Sequence, residues 1–318
     1  MGMGTERNGF FNIGETMMQI AARHWLFIAA VSGFGLTAPA AHAESSTLEK
    51  IRSSNTLTLG YRESSIPFSF LGAEQKPVGF SLDLCAAIAE KVKADLKLPK
   101  LNVAYLAVSA ANRIPLLQNG TIDIECGSTT NTAERQQQVG FSVATFAGGP
   151  TWLTTASSGI TDVKGLQGKT VVLTQGSLNL GLAMKINSDL KLNMTILQSK
   201  EQAESLLLLR TGRASAWFED NILEAGLVAG SPDPKAFRYL PDASAQVYYY
   251  GLMIPKNDPG FKSLVDGALS AQMASGEFSK TYAKWFTQPI PPHGQNLSLP
   301  MNEALKARVA APSDSLTQ

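Results

Sequence analysis

Short apolar strands alternate with amphipathic helices along most of this chain, and that order constrains its fold more than any other feature. Leu57–Tyr61 has the alternating apolar positions of a strand, Ser81–Lys93 has the apolar face of a helix, and Asn102–Leu106 is typical of a second strand. A strand, helix, strand order of this kind predicts a parallel sheet covered by helices. The chain is therefore expected to fold as an α/β protein.

Two long β-rich stretches interrupt the alternation. The first, Phe141–Thr155, is broken by a Gly-Gly-Pro sequence, and the second, Val247–Ile254, is rich in aromatic residues. Between them, Lys169–Leu173 and Ala214–Phe218 predict further strands, each followed by a helix. We interpret the two stretches as crossings of the chain between two lobes, which makes the second lobe an insertion into the first.

The predicted organisation has five segments. They are an upstream extension with a signal peptide (1–43), the first part of lobe 1 (44–147), an inserted lobe 2 (148–250), the return of lobe 1 (251–288) and a C-terminal tail (289–318). Several prolines in the tail favour a segment that runs over the surface. The 318 residues include 44% hydrophobic residues and carry a formal net charge of +1, which fits one or two globular domains and indicates no nucleic-acid partner.

The N-terminus has the pattern of an export signal. Arg23 and His24 precede an apolar run at 25–36, and an Ala-His-Ala sequence follows it and ends at Ala43. The run is too short to span a bilayer comfortably, whereas signal peptidase accepts small residues in an A-x-A pattern. We therefore expect cleavage near Ala43 and a mature protein in the periplasm.

Export would place the two cysteines, Cys85 and Cys126, in an oxidising compartment, where thiols commonly pair. Cys85 lies early in the helix predicted at Ser81–Lys93, and Cys126 follows a short apolar strand. A helix packed over that strand would bring the two sulfurs within bonding range. The sequence leaves open both a disulfide and two buried free thiols.

The run Asn112–Ser142 combines a turn, a buried strand, a polar loop and the start of a helix. The loop at 127–131, Gly-Ser-Thr-Thr-Asn, offers backbone N–H groups and hydroxyls. Asn131 with Glu134 three residues later is typical of an N-cap and its capping-box partner. A helix is therefore expected to begin at this point, with its positive end available to an anion.

Three side chains in this run suit a carboxylate ligand. Ser128 and Thr130 carry hydroxyl donors, and Arg135 in the first turn of the helix has a planar guanidinium that can bind a carboxylate through two hydrogen bonds. The alternative is structural, because hydroxyl residues before a helix are often ordinary caps and Arg135 could pair with a surface acid.

The string from Asn119 to Arg135, NGTIDIECGSTTNTAER, resembles the ligand loop of periplasmic amino-acid-binding proteins, and most closely that of their glutamate/aspartate-binding branch. The resemblance extends from GYRESSIPFSF near Gly60 to QPIPP near Pro291. It implies the type II periplasmic-binding-protein-like fold, with two lobes, each a mainly parallel sheet flanked by helices, joined by a two-strand hinge. It also implies an amino acid ligand, an inner-membrane ABC permease as partner, and a monomer without a cofactor.

An amino acid zwitterion needs a buried cationic fork, several neutral donors and one carboxylate. By the resemblance, Arg135, Ser128 and Thr130 bind the α-carboxylate, and Ser177 adds a donor from the second lobe. Asp220 binds the ammonium group. An Asp that follows a strand also commonly caps the next helix, which is the structural alternative for Asp220.

Arg62 and Arg113 match the arginines that bind the side-chain carboxylate in the glutamate/aspartate branch. Their alternatives are an exposed ion pair of Arg62 with Glu63 and a helix-surface charge for Arg113. This chain differs from the branch at Ala110, where serine is common, and at Gln202, where histidine is found. Both positions serve the side-chain carboxylate, so another polar amino acid or a dicarboxylate stays open beside glutamate and aspartate.

Enzymes also occur on this fold, among them the cyclohexadienyl dehydratases, and Glu219 beside Asp220 is a candidate general acid. The predicted lobes contain no histidine, because His24 and His42 lie in the leader and His293 lies in the tail. A histidine triad or metal cluster is therefore not expected. We expect a binding receptor with no catalytic residue, metal or cofactor.

Overall fold

A computed structural model of the protein describes residues 45–241 and 246–317. The predicted signal peptide and its cleavage site near Ala43 lie outside the described residues. Within the described ranges, no helix has the length and apolar character needed to cross a membrane.

The described residues form fifteen strands and ten α-helices. The strands are β1 (Thr56–Tyr61), β2 (Ser64–Ser65), β3 (Ser69–Leu71), β4 (Pro77–Val78), β5 (Asn102–Ala107), β6 (Ile124–Glu125), β7 (Gly140–Phe141), β8 (Phe146–Gly148), β9 (Pro150–Thr155), β10 (Thr170–Thr174), β11 (Thr195–Ser199), β12 (Ala216–Asp220), β13 (Phe237–Tyr239), β14 (Tyr248–Tyr250) and β15 (Met253–Ile254). The helices are α1 (Ser46–Ser54), α2 (Phe80–Asp95), α3 (Arg113–Gln118), α4 (Ala133–Gln136), α5 (Leu178–Asp189), α6 (Gln202–Arg210), α7 (Asn221–Ala229), α8 (Pro259–Ser275), α9 (Glu277–Phe286) and α10 (Glu303–Ala310).

The first five-stranded sheet has the order β5-β1-β6-β15-β7. β1 pairs in parallel with β5 on one side and with β6 on the other, whereas β15 is antiparallel to both β6 and β7. The parallel strands are connected through α2 and α3, which is the strand, helix, strand order seen in the sequence. We name the elements around this sheet the first lobe.

The second five-stranded sheet has the order β11-β10-β12-β9-β13, with β10 parallel to β11 and β12 and with β9 antiparallel to its two neighbours. β10 is buried on both faces, because Val171 and Leu173 pack into one apolar cluster and Val172 packs into another. A parallel strand covered on both faces needs such a continuous apolar run. We name the elements around this sheet the second lobe.

Two short strands connect the lobes. β8 leads from the first sheet to the second and β14 leads back, and the two pair antiparallel with Phe146 opposite Tyr250. The predicted α/β architecture with a two-strand hinge is therefore confirmed. The individual domain boundaries given above stay a prediction.

Aromatic side chains anchor the hinge strands on the core of the first lobe. The ring of Phe68 lies 5.0 Å from that of Phe146, 5.3 Å from that of Tyr250 and 5.5 Å from that of Phe286, measured between centroids. Such edge-on and tilted pairs contribute beyond the area that they bury. These contacts hold both hinge strands against the core of the first lobe.

The two cysteines form a disulfide. Cys85 in α2 and Cys126 directly after β6 are both fully buried, and their Cα atoms are 6.3 Å apart. Of the two alternatives, the disulfide is confirmed and the pair of free thiols is wrong. The bond ties the helix that covers the first sheet to the start of the polar loop at 127–131.

The C-terminal segment contains a helix as well as the expected surface-lying chain. Asn302 caps α10 and donates a 2.7 Å hydrogen bond to the carbonyl of Ala147 in β8. The guanidinium of Arg308 lies 4.4 Å from the ring centroid of Tyr249 in β14. Both hinge strands are therefore covered by the end of the chain.

Candidate functional site

A small cavity lies between the lobes, where the carboxyl ends of strands from both sheets face each other. Its free volume is about 20 Å³, and strand ends of this kind are the usual ligand position in open α/β sheets. The structure brings all eight predicted binding residues into its lining: Arg62, Arg113, Ser128, Thr130, Arg135, Ser177, Gln202 and Asp220. The remaining lining residues are Ala110, Leu178, Asn179, Glu219 and Leu223.

The helix below the polar loop begins one residue later than predicted. Thr132, not Asn131, caps α4, since the Thr132 hydroxyl oxygen accepts a hydrogen bond from the backbone N–H of Arg135 at 3.2 Å. The side chain of Asn131 instead donates to the carbonyl of Asp314 at 2.9 Å. The predicted Asn131 cap is therefore wrong, because a contact with the C-terminal segment occupies that side chain.

Arg135 projects from this short helix into the cavity and is nearly buried. Its Nη1 donates to the carbonyl of Thr130 at 2.9 Å, and its Nη2 donates to the carbonyl of Gly176 in the second lobe at 3.3 Å. Burial lowers the pKa of Arg135 from its usual value, and the charges of Glu125 and Asp220 oppose that shift. The surface ion pair considered for Arg135 is therefore wrong.

Arg62 follows β1 and is also buried. Its Nη2 donates to Oε2 of Glu201 at 2.7 Å and to Oε1 of Gln202 at 3.0 Å, both in the second lobe. Its Nε is buried and has no hydrogen-bond partner among the described residues. The exposed pair with Glu63 is therefore wrong, because the guanidinium turns inward across the cleft.

Arg113, the first residue of α3, is buried beside a buried acid. Its Nη1 lies 3.6 Å from Oε1 of Glu125, and Oε2 of Glu125 accepts a 2.7 Å hydrogen bond from the hydroxyl of Thr129. Burial lowers the pKa of Arg113 to about 9, which leaves it charged at neutral pH. Nε and Nη1 have no hydrogen-bond partner in the part of the chain that the structure describes, so this cation has donors available to a ligand.

Asp220 ends β12 and stands at the N-cap position of α7, yet its side chain makes no capping hydrogen bond. It accepts a hydrogen bond from Nδ2 of Asn179 at 3.2 Å and another from the hydroxyl of Tyr250. The capping alternative is therefore wrong. The carboxylate of Asp220 faces the cavity from the second lobe, opposite the arginines.

Glu219 is buried next to Asp220. Its carboxylate accepts hydrogen bonds from the hydroxyl of Thr174 at 2.9 Å and from Nδ2 of Asn179. Burial, followed by the charge of Asp220, raises the pKa of Glu219 to about 7. Burial raises the pKa of Asp220 as well, so each of the two neighbouring carboxyl groups makes ionisation of the other less favourable.

Ser177 caps α5 and lines the cavity, since its hydroxyl oxygen accepts a 3.1 Å hydrogen bond from the backbone N–H of Leu180. The hydroxyl proton remains available for donation to a ligand. The preceding Gly176 has φ +75°, and a Cβ on it would lie 2.6 Å from Cα of Ala111 in the first lobe. Glycine is therefore needed for the lobes to approach each other here.

Four residues that shape the site were not predicted from the sequence: Glu125, Asn179, Glu201 and Tyr250. The aromatic pattern around Tyr250 predicts only a strand that crosses between the lobes. Two of the four residues, Glu125 and Glu201, lie at or just after the carboxyl end of a strand. Ligands bind at such strand ends, so applying this rule to every polar residue there would have predicted both.

A further buried carboxyl group, Glu224, lies in the first turn of α7. It is fully buried, and neither carboxylate oxygen has a hydrogen-bond partner among the described residues. Burial, with the charges of Glu219 and Asp220, raises the pKa of Glu224 well above its usual value. A raised carboxyl pKa contributes stability that is complete below the unfolded-state pKa and is lost as the pH rises through the folded-state pKa.

We therefore expect Glu224→Met to stabilise the protein at pH 8. The gain should be about 1–3 kcal/mol, the usual penalty for a buried unsatisfied polar group. It should shrink at pH 5, because the pKa of Glu224 is raised and protonation then removes the buried charge from a larger fraction of the wild type. Thermal unfolding at both pH values tests this, with Glu90→Met on the exposed side of α2 as the control. Equal effects at pH 5 and pH 8 would contradict the assignment.

Two α/β lobes that enclose a polar cavity at their strand ends define a solute-binding protein. Residues 57–288 match the model of the bacterial extracellular solute-binding proteins, family 3. Because that match covers most of the chain, the chain belongs to this family.

Two relatives match nearly the whole chain. The L-glutamate/L-aspartate-binding protein of Pseudomonas aeruginosa is 46% identical over 89% of this chain and 94% of that protein. The glutamate/aspartate import solute-binding protein of Escherichia coli (strain K12) is 40% identical over 91% of this chain and 95% of that protein. Both are named as binding proteins, which confirms the expectation of a binding protein rather than an enzyme.

Solved structures confirm the type II fold. The ancestral amino acid-binding protein AncCDT-1, a precursor of cyclohexadienyl dehydratase, has a TM-score of 0.66 and 26% identity, over 76% of this chain and 100% of that chain. An ancestral arginine-binding protein bound to arginine has a TM-score of 0.65 and 27% identity, over 73% of this chain and 98% of that chain.

Proposed function

We propose that the protein is the periplasmic receptor of an ABC importer and that it binds glutamate or aspartate between its lobes. The observation that carries this proposal is the presence of three buried arginines, Arg62, Arg113 and Arg135, around one small cavity. One guanidinium is enough for the α-carboxylate that every amino acid carries. The other two suit a second carboxylate, and the names of the two relatives described above support the same ligand class.

The α-amino and α-carboxylate groups would lie between Arg135 and Asp220. Arg135 has its Nη atoms held by carbonyl groups of both lobes, so the protein itself fixes the orientation of its guanidinium. Ser128, Thr130 and Ser177 add neutral donors from the cavity wall. Asp220 would receive the ammonium group, since its carboxylate lies on the opposite wall and is oriented by Asn179 and Tyr250.

The side-chain carboxylate would lie towards Arg62 and Arg113. Both have buried nitrogen atoms without a hydrogen-bond partner among the described residues. An unpaired buried donor costs free energy, and a ligand carboxylate that accepts from it removes that cost. Gln202 accepts from Arg62 through Oε1 and leaves its amide nitrogen as a further donor. Gln202 stands where the glutamate/aspartate branch has histidine, whereas Ala110 stands where the branch has serine and offers no side-chain donor.

We also propose where the protein acts in the cell and how ligand changes its shape. The leader would be cleaved near Ala43, and the mature protein would act as a monomer in the periplasm. Ligand contacts divided between the lobes favour the closed form, so ligand shifts the population towards closure. The closed shape is the surface that an inner-membrane permease would recognise.

Calorimetric titration with glutamate, aspartate and glutamine tests the ligand assignment, and Arg62→Met tests its basis. The wild type should bind the two acidic amino acids more tightly than glutamine. Arg62→Met should weaken both acids roughly ten- to hundredfold, since a hydrogen bond to a charged group contributes about 1.5–3 kcal/mol. Glutamine brings no side-chain charge and should lose little.

Equal losses for acidic and neutral ligands in Arg62→Met would show that Arg62 does not read the side chain, and the acidic assignment would then fail. Turnover of prephenate or arogenate by the purified protein, lost on Glu219→Gln, would overturn the receptor proposal itself.

A further inference from the structure

Arg62 is paired across the cleft with an acid of the protein itself. Glu201 reaches it from the second lobe with an Nη2 to Oε2 distance of 2.7 Å, and the hydroxyl of Ser64 lies 3.4 Å from the same oxygen. The side chain of Arg62 is 1% exposed, whereas that of Glu201 is 21% exposed. Arg62 is thus buried in the cavity wall, whereas Glu201 lies at the mouth of the cleft, where its side chain can reach solvent.

Carboxyl groups of the protein itself lie around the three arginines of the cavity. Three positive groups face up to four negative ones: Arg62, Arg113 and Arg135 against Glu125, Glu201, Glu219 and Asp220. Glu125 is buried and accepts a hydrogen bond from Thr129, whereas Glu219 and Asp220 share Asn179 on the side assigned to the ammonium group. An acidic amino acid adds one net negative charge, which is unfavourable in a buried site that holds no surplus of positive charge.

Of these four acids, Glu201 is the one whose partly exposed side chain can move away from its arginine into solvent. We propose that its carboxylate occupies, on Arg62, the position that the side-chain carboxylate of an acidic ligand takes, so that Glu201 sets the preference between acidic and neutral amino acids. An acidic ligand displaces Glu201 from Arg62, and Glu201 turns into solvent at the cleft mouth. A neutral ligand such as glutamine leaves the Arg62–Glu201 pair intact. This inference rests on the proposed function of the cavity.

The sign of the effect follows from the two ligand classes. Without the charge of Glu201, an acidic ligand no longer displaces an ion pair, so its affinity rises. Glutamine then closes the lobes over an Arg62 that has lost its counter-charge, so its affinity falls. Any general effect of the change on lobe closure acts on both ligands equally and cancels in the ratio of their dissociation constants.

The test is titration of glutamate and glutamine into the wild type and into Glu201→Gln. We expect the glutamate Kd to fall about two- to fivefold, in the range of a partly exposed ion pair, and the glutamine-to-glutamate Kd ratio to rise by more than that. Glu204→Gln is the matched control, because it removes a negative charge three residues from Glu201, in the first turn of α6, at an exposed position where the carboxylate accepts from the backbone N–H of Lys200. Its ratio should equal that of the wild type.

An unchanged or lower ratio in Glu201→Gln would overturn the role of Glu201, and so would an equal rise in Glu204→Gln. Glu201→Asp provides a second check, since it keeps the charge but shortens the reach to Arg62 by one methylene, and it should raise the ratio in the same direction. The failures are distinguishable. A wild type that binds neither amino acid overturns the proposed function, whereas a wild type that binds glutamate with a ratio insensitive to Glu201→Gln overturns only this inference.

Discussion

Arg135→Met should abolish the binding of every amino acid, whatever its side chain. Arg135 is held by the carbonyls of Thr130 and Gly176 and faces Asp220 across the cavity. If it binds the α-carboxylate, its removal leaves a buried carboxylate without its main cation. Loss of one member of a buried ion pair costs about 3–5 kcal/mol, which corresponds to about a hundred-fold to several-thousand-fold in affinity.

Calorimetric titration of Arg135→Met with glutamate, aspartate and glutamine measures this loss. Arg210→Met is the control, because Arg210 is exposed at the end of α6, and it should bind all three ligands as the wild type does. Thermal unfolding without ligand should show that Arg135→Met is folded. Retention of glutamine binding within tenfold of the wild type would show that Arg135 serves the side chain and not the common part of the ligand.

The lobes contact each other through groups that also line the cavity. The backbone carbonyl of Gly176 accepts from Arg135, Glu201 accepts from Arg62, and Tyr250 on the hinge strand β14 donates to Asp220. Each contact joins the first lobe or the hinge to the second lobe. Ligand binding and lobe closure therefore depend on the same side chains, which is why substitutions here should change affinity and the open–closed equilibrium together.

The fold and most of the cavity wall could be predicted because they follow from local patterns. Alternating strands and helices determine the two sheets, and the strand-end rule places Arg62, Gln202 and Asp220 at one edge. The role of each side chain at that edge was harder to predict. Whether Asp220 caps α7 or faces the cavity depends on Asn179 and Tyr250, which the sequence does not show to be neighbours.

Contacts between residues far apart in the chain account for what sequence reasoning missed. The Arg62–Glu201 pair spans 139 positions, and the contact of Asn131 with Asp314 spans 183. No periodicity or spacing reports such a pair. The same limit explains α10, because its position over β8 and β14 is set by tertiary contacts, whereas the prolines on both sides of it suggested only surface chain.

Removal of the disulfide should have the second large effect, on stability rather than on ligand choice. Cys85 and Cys126 are separated by 41 positions, and closing a loop of that size reduces the entropy of the unfolded chain by an amount equivalent to about 4 kcal/mol. Cys85→Ala/Cys126→Ala should therefore unfold well below the wild type. At roughly 2–4 °C for each kcal/mol, the expected decrease in Tm is about 8–16 °C.

The reduced wild type is the matched control for this double variant, since it keeps both side chains and loses only the bond, and its Tm should fall by a similar amount. The disulfide also immobilises the residue before Gly127, where the ligand loop begins. If the bond acts mainly on the unfolded chain, saturating glutamate will raise Tm equally in the oxidised and the cysteine-free protein, because ligand stabilisation depends only on affinity for the folded state. A smaller ligand-induced rise in the cysteine-free protein would instead show that the bond holds Ser128 and Thr130 in their binding geometry.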